Sequence, residues 1–267
     1  RDYEEARLGL EGLVDQGYEV AGAAKILEPI YTVEHDYQKL VWVLSKRLEA
    51  AEDPEERKTL MRRIGEHYET HLDRPEQAFE MARSILLEDP ADIGVRVWFE
   101  QLAERLELIE ELATVYADLA KRSEAPTNLQ YHRWAAAVFH DRLNHLEGAK
   151  EQYQSILALR EFDDRALSGL EAIYQQSGES EELVAIMRER IRSGIDDERK
   201  AGYLRQIASI ELEELNAPLR AAQTLLELYD LDPDRLGIFD SLEALYEDHE
   251  QWPDLVELYR RERERLS

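Results

Sequence analysis

The amino-acid sequence repeats itself with a period of 71–72 residues over most of its length of 267. The segment LEPIY at 27–31 returns as FEQLA at 99–103, LEAIY at 170–174 and LEALY at 242–246. Further series with this spacing are Leu40, Leu112, Leu183 and Leu255; Ala6, Ala78, Ala149 and Ala221; and Ile64, Ala135 and Ile207. A fixed period of this kind predicts a repeat architecture in which each unit packs on its neighbours.

Each period contains four predicted helices, because apolar residues recur at spacings of three and four between regularly placed turn signals. Those signals are Gly17, Asp53-Pro54, Asp73-Arg74-Pro75, Asp89-Pro90, Ala125-Pro126, Gly178, Asn216-Ala217-Pro218 and Asp232-Pro233. Asp53 is predicted to cap a helix that begins at Pro54, and Asp232-Pro233 has the same pattern. The series at 27 and 64 mark the first helix of each hairpin, and the series at 40 and 78 mark the second.

We therefore predict an all-α solenoid of about fifteen helices, stacked as antiparallel hairpins of about 36 residues, with no convincing strand. Residues 1–267 are predicted to form a single repeat domain. Since both ends of the sequence fall within a period, we expect the array to continue beyond them in the parent protein.

The hairpins resemble those of the tetratricopeptide repeat (TPR) family. Ala78, Ala82, Ile85 and Pro90 stand at the spacings of the family's Ala, aromatic, Ala and Pro, and Ala221, Leu225, Leu228 and Pro233 repeat them. Ile64-Gly65 followed by Tyr68 is similar to the family's Leu-Gly-x-x-Tyr. Glu28, Glu100, Glu171 and Glu243 replace that glycine elsewhere, which predicts different helix packing there. The resemblance implies a right-handed superhelix with a concave face lined by first helices.

Composition removes several classes of function. The chain has no cysteine, which excludes disulfides, cysteine nucleophiles, thiolate zinc sites and iron–sulfur clusters. It has 33 Lys+Arg against 59 Asp+Glu, a formal charge of −26, so its surface repels phosphates. No apolar run approaches the ~20 residues of a transmembrane helix. We predict no nucleic-acid partner and no membrane insertion; the compartment stays open, with the cytoplasm favoured.

The sequence has few candidates for chemistry. His67 and His71 share a helix face, a spacing that binds a transition metal when a third ligand converges, but a packing or exposed role is the preferred interpretation. His132 and His140 are interpreted as ordinary surface or packing residues. Acidic runs at 110–111, 181–182 and 211–214 are interpreted as solvated helix faces. We predict no metal, no cofactor and no catalytic site.

One set of charged residues recurs with the period of 71–72 residues. The arginines Arg62, Arg133 and Arg205 lie on alternate first helices, and the glutamates Glu28, Glu100, Glu171 and Glu243 lie on the others. If first helices are neighbours about 8–10 Å apart, these side chains can bridge them. We predict a structural ladder of ion pairs, with the alternative that the arginine row also binds an acidic peptide. The residues one turn later, Glu66, Ala137 and Ser209, do not match the carboxylate clamp of some TPR proteins.

The four tryptophans are candidate anchors for a partner. Trp98 and Trp134 lie on first helices from which they reach a groove, whereas Trp42 is expected in the core; Trp252 is the fourth. The leading hypothesis is a non-catalytic protein-interaction scaffold whose groove uses Arg62, Arg133, Arg205, Trp98 and Trp134. The alternatives are a structural spacer in a larger machine, a regulatory region attached to an enzyme, and an acidic decoy or chaperone for basic proteins.

Overall fold

The computed structural model describes residues 2–232 and 237–267, and all regular elements within them are helical. The helices are α1 (Asp2–Asp15), α2 (Val20–Glu34), α3 (Tyr37–Ala50), α4 (Pro54–Thr70), α5 (Pro75–Glu88), α6 (Ile93–Arg105), α7 (Ile109–Arg122), α8 (Thr127–Ala137), α9 (Leu146–Leu159), α10 (Asp164–Ser177), α11 (Ser180–Arg192), α12 (Asp197–Glu213), α13 (Pro218–Leu231), α14 (Ile238–Asp248) and α15 (Trp252–Leu266). A π-helical turn, Val138–Arg142, follows α8. The predicted all-α fold is confirmed.

The chain forms two compact units, Arg1–His145 and Leu146–Ser267. Unit 1 contains α1 to α8, and unit 2 contains α9 to α15. Within each unit a helix packs chiefly on the helices before and after it, as in antiparallel hairpins. The even-numbered helices from α2 are the predicted first helices, and the odd-numbered ones from α3 are the second helices. A single repeat domain over 1–267 stays a prediction.

Aspartate caps begin five of the helices. Asp53 accepts a hydrogen bond from the backbone N–H of Glu56 at 2.8 Å, and Pro54 is the first helical residue, as predicted. Asp36, Asp92, Asp163 and Asp196 accept from Lys39, Val95, Ala166 and Arg199 in the same way, at 2.9–3.2 Å. The corresponding start predicted at Pro233 lies outside the described residues.

The repeat positions form the core. Leu40, Leu112, Leu183 and Leu255 are all buried, and each is the fourth residue of its helix. Ala78, Ala149 and Ala221 are buried as well, whereas Ala6 of α1 is exposed. In the described part of the chain no helix is both long enough and apolar enough to cross a membrane.

Two residues differ from the prediction. Trp42, expected in the core, is half-buried at the edge of the α2–α4 cluster. Glu211, expected in a solvated acidic run, is buried with 3% of its surface exposed. Its carboxylate accepts from the Thr224 hydroxyl at 2.7 Å and pairs with Arg220 at 3.4 Å, so the buried charge has partners.

Gly65 allows a close approach between α4 and α6. A Cβ at this position would lie 2.3 Å from the Trp98 ring and 3.1 Å from Met81. The indole N–H of Trp98 donates to Glu69 at 2.7 Å, which holds the ring over the glycine. The glycine of the Ile64-Gly65 motif is therefore required by packing.

Gly65→Ala is expected to lower the free energy of unfolding by about 1–2 kcal/mol, because overpacking of about 1–3 kcal/mol exceeds the gain of up to about 1 kcal/mol in helix propensity. Urea unfolding measures the change. The matched control is Gly202→Ala within α12, where nothing lies within 4 Å of the added Cβ. This control is expected to stabilise the chain by about 0.5–1 kcal/mol. A stabilising Gly65→Ala would contradict the packing argument.

Candidate peptide-binding site

A cavity of about 340 Å³ opens between the first helices α6 and α8 of unit 1. It is lined by the turn before α6, by the start of α6, and by the α8 face opposite. The principal lining residues are Pro90, Asp92, Ile93, Arg96, Tyr131 and Trp134. Ile93, the first residue of α6, is 70% exposed at this cavity. An open cavity with aromatic and apolar walls and a few charged groups is typical of a ligand site.

Tyr131 ties the two sides of the cavity together. Its ring is fully buried, and its hydroxyl donates to the backbone carbonyl of Pro90 at 2.7 Å. Burial raises the pKa of Tyr131 to about 12. The ring meets Trp134 edge-on, with ring centroids 5.1 Å apart. The turn before α6 is thereby fixed against α8.

Arg96 and Trp134 form the charged wall of the cavity. The Arg96 guanidinium lies over the Trp134 ring, 4.3 Å from its centroid, and pairs with Glu100 at 2.5 Å. Glu100 also accepts a hydrogen bond from the hydroxyl of Tyr116. Burial and this bond to Glu100 raise the pKa of Tyr116. The Trp134 ring and the Glu100 carboxylate thus hold Arg96 in place. The sequence did not predict Arg96 as a site residue, because it is not a member of the series Arg62, Arg133 and Arg205.

The five candidate groove residues differ in their immediate surroundings. Trp134 lines the α6–α8 cavity, whereas Trp98 packs on α4. Arg62 pairs with Asp92, the cap of α6, at 2.9 Å. Arg205 is exposed and its Nε donates to the carbonyl of Ala201 at 3.4 Å. Arg133 is half-buried, directly before Trp134.

The predicted ladder has different partners. Glu28 pairs with Arg47 of its own hairpin at 2.6 Å and with Arg63 of the next first helix at 2.9 Å. The bridge from α2 to α4 thus uses Arg63, the residue after the predicted Arg62. Arg63 reaches back to α2, while the Arg62 side chain turns the other way, to the cap of α6.

The other three glutamates bind mainly within their own hairpins. Glu100 accepts from Tyr116, and Glu243 accepts from Tyr259. Glu171 pairs with Arg190 at 2.8 Å and accepts from the Tyr203 hydroxyl of α12 at 3.3 Å. The partner on the second helix alternates between arginine and tyrosine, at 19 or 16 residues after the glutamate. The structural role of these glutamates stays a prediction. The prediction that the arginine row Arg62, Arg133 and Arg205 pairs them is wrong for Glu28, whose arginine on the next first helix is Arg63.

A second opening lies between the first helices α10 and α12 of unit 2. Two adjoining cavities of about 420 and 280 Å³ share Glu171 and Gln206 and together form a groove. Arg190 lies in its wall and also pairs with Asp164 at 2.8 Å. Gln206 occupies the repeat position that Arg63 occupies in unit 1. Arg63 pairs with Glu28 of the preceding first helix, whereas the neutral Gln206 side chain lines the groove beside Glu171. Openings between successive first helices therefore occur in both units.

The histidine pair lies in an aromatic cluster. Tyr37 stacks on His71, with ring centroids 3.7 Å apart and planes 3° apart, and His67 lies 5.7 Å from the same ring. Burial and the neighbouring His71 lower the pKa of His67. Across residues 2–232 and 237–267, no group of three His, Cys, Asp or Glu side chains is placed to hold a metal ion. The geometry favours the packing role.

No family model and no curated protein matches the chain. It is similar to a solved structure of Naa15/Naa10 bound to HypK-THB, at 16% identity and a TM-score of 0.45, covering 91% of this chain and 37% of that one. It is also similar to a TPR protein from Parabacteroides merdae, at 12% identity and a TM-score of 0.33, covering 91% and 92% of the two chains. A third similar structure is the TPR2AB domain of yeast Sti1 in a pHSP90 complex, at 14% identity and a TM-score of 0.30, covering 91% and 90%.

The fold is TPR-like. This agrees with the predicted resemblance, and it rests on the antiparallel hairpins and their recurrent core positions. The chain spans 37% of the length of the Naa15/Naa10 chain, and the likeness to these structures concerns the fold alone.

Proposed function

We propose that the chain is a non-catalytic protein-interaction scaffold that binds a partner peptide through the face formed by its first helices. The observation that supports this most is the α6–α8 cavity, where Trp134, Arg96 and the exposed Ile93 surround an open space of about 340 Å³. Tryptophan and arginine are the side chains most enriched in binding hot spots. A cavity of this size accommodates a large apolar side chain of a partner.

The net charge of the chain indicates which residues flank the apolar anchor in the partner peptide. At a net charge of −26 the scaffold attracts cationic segments and speeds their encounter. Arg62 is already paired with Asp92 at 2.9 Å. The hypothesis that the arginines Arg62, Arg133 and Arg205 bind an acidic peptide is therefore less well supported. The proposed partner is therefore a peptide with an apolar anchor and basic flanks, which deepens the scaffold hypothesis.

The test begins with peptides selected from a displayed library on the intact chain, whose affinities are then measured by fluorescence anisotropy. Ile93→Asp is expected to weaken binding at least about tenfold, because it desolvates a carboxylate against the apolar anchor. Ile93 is 70% exposed, so its replacement leaves the core intact. Rising salt is expected to weaken binding further if the flanks are basic.

The matched control is Val33→Asp, since Val33 is 79% exposed on the first helix α2 and lies outside the cavity. This variant is expected to bind like the wild type. Failure to select any peptide, or equal binding by Ile93→Asp, would overturn the proposed site. The structural-spacer hypothesis would then be the better account of the chain.

A further inference from the structure

The smaller of the two adjoining cavities between α10 and α12, about 280 Å³ in volume, has both apolar and acidic lining residues. Leu183 and Met187 of α11 are buried beside it, and Ile210 of α12 is half-buried. Glu171 of α10 and Glu214, the residue after α12, add two carboxylates. Among the described residues that line this smaller cavity there is no Lys, Arg or His. Such a lining suits the aliphatic stem and the cationic end of a long basic side chain.

This cavity does not arise at an end of the chain. Its walls are the first helices α10 and α12 and the second helix α11 between them, and α13 packs on α12 from the other side of the sequence. The three wall helices have counterparts two periods earlier, in α2, α3 and α4 of unit 1. Since α4 and α12 both have 17 residues and the same register, the two sets of helices can be compared position by position.

The cavity opens where unit 1 has larger side chains. The residues of unit 1 at the four corresponding positions are Tyr37, Arg63, His67 and His71, and those of unit 2 are Ser180, Gln206, Ile210 and Glu214. In unit 1 the three rings form the aromatic cluster in which Tyr37 stacks on His71. Unit 1 thus fills with its own side chains a space that stays open in unit 2.

Unit 1 also shows how a cation is held at this place. The two carboxylate oxygens of Glu28 pair with different guanidinium groups, Oε1 with that of Arg47 at 2.6 Å and Oε2 with that of Arg63 at 2.9 Å. Arg47 pairs in addition with Glu56 at 2.6 Å, so one planar guanidinium joins two carboxylates. The glutamate of this repeat position therefore accommodates two arginines.

In unit 2 the corresponding Glu171 has one arginine. Arg190 contacts it at 2.8 Å and the Tyr203 hydroxyl donates to it at 3.3 Å, and both contacts use Oε2. The Tyr203 hydroxyl is a neutral donor at a longer distance than the guanidinium of unit 1, and Gln206 brings no charge. Glu171 can therefore accept a second guanidinium through Oε1. Glu214 accepts a hydrogen bond from the hydroxyl of Ser180 and brings a second negative charge to the same cavity.

The cations of the groove line the larger cavity and have partners there. Arg190 pairs with Asp164 at 2.8 Å, and Arg199 pairs with Asp196, the cap of its own helix, at 3.3 Å. The smaller cavity is thus the acidic part of the groove. In a chain with a net charge of −26, the complementary occupant is cationic.

We propose that the smaller cavity between α10 and α12 binds an arginine side chain of a partner protein. Its guanidinium pairs with Glu171 and Glu214, and its aliphatic stem packs on Leu183 and Met187. The bound arginine thereby makes in unit 2 the ion pair that Arg63 makes within unit 1. This site lies in unit 2, and its test does not involve the α6–α8 cavity, so either proposal can fail without the other.

The probe for this site is N-acetyl-arginine amide, titrated into the intact, isotope-labelled chain and followed by NMR. Saturable shifts are expected for the backbone amides around the cavity, including those of Glu171 and Gln206. N-acetyl-citrulline amide has the same shape without the charge, and at equal concentration it is expected to give less than about a tenth of these shifts.

Gln206→Arg supplies the guanidinium from within the chain, as unit 1 does, and is expected to weaken binding of the probe at least about tenfold. Gln206 is exposed, so its replacement leaves the core intact. The matched control is Gln176→Arg, which adds the same charge at an exposed glutamine of α10 that does not line the cavity. This control is expected to change the affinity less than about twofold.

A second pair of variants removes the acceptor. Glu171→Gln is expected to weaken binding at least about fivefold, whereas Glu182→Gln, at an exposed position of α11, is expected to bind like the wild type. Urea unfolding establishes that each variant is folded, and the second pair decides the question if Gln206→Arg is not. Absence of saturable shifts, equal shifts with the citrulline probe, or unchanged binding by Glu171→Gln would overturn the proposal. So would equal losses in Gln206→Arg and Gln176→Arg, because the net charge alone would then account for binding.

Discussion

Phe99→Ala is expected to lower the free energy of unfolding by about 3–5 kcal/mol, the largest effect among these variants. Phe99 is fully buried in unit 1, where its ring stacks on Phe79 of α5 at 4.6 Å and lies 6.5 Å from Tyr116 of α7. Removal of the ring leaves a void between two hairpins and ends the aromatic contacts that join them. Urea unfolding measures the loss, and hydrogen exchange is expected to accelerate first in α5, α6 and α7.

The repeat itself provides the control for this variant. Leu27, Leu170 and Leu242 occupy the position of Phe99 in the other periods, and all three are buried. Phe99→Leu therefore keeps a side chain that this position accommodates elsewhere, and its expected cost is below about 1.5 kcal/mol. Equal destabilisation by Phe99→Leu and Phe99→Ala would show that the ring contacts matter more than the filled volume.

The approximate number of helices and the beginning of α4 were predictable because their signals are local. A cap such as Asp53 with Pro54 acts within one turn, and the period of the buried leucines is set by helices that each contact only their sequence neighbours. The same locality explains why Gly65 was recognised as part of a motif. The side chain that packs against this glycine could not be predicted in the same way, because Trp98 lies 33 residues further along the chain.

Side-chain partners were less predictable. Neighbouring residues on a helix point about 100° apart, so a shift of one position moves the contact from Arg62 to Arg63 while the charge pattern looks the same. Burial of Glu211 depends on Thr224 and Arg220 of the following helix, and no local signal distinguishes it from its exposed acidic neighbours. The α6–α8 cavity likewise depends on a bond between Tyr131 and Pro90, which are 41 residues apart.

Arg47→Met is expected to lower the free energy of unfolding by about 1.5–3 kcal/mol. Arg47 joins Glu28 and Glu56, each at 2.6 Å, and its side chain and that of Glu28 are largely buried. The variant leaves the Glu28 carboxylate with Arg63 alone in a poorly solvated position. The methionine keeps most of the aliphatic volume of the arginine, so the loss reports the charge and its hydrogen bonds more than the packing.

The double variant Glu28→Leu, Arg47→Met separates the two parts of this effect. Removal of both charges takes away the stranded carboxylate, and the double variant is expected to be more stable than Arg47→Met alone, with recovery of at least about 1 kcal/mol. Arg63 tolerates the change because it is partly solvated. Arg83→Met, which breaks an exposed pair with Glu80 within α5, is the matched control and is expected to change stability by less than about 0.5 kcal/mol. If the double variant were less stable than Arg47→Met, the Glu28 charge would contribute through Arg63, and the bridge from α2 to α4 would be the dominant interaction.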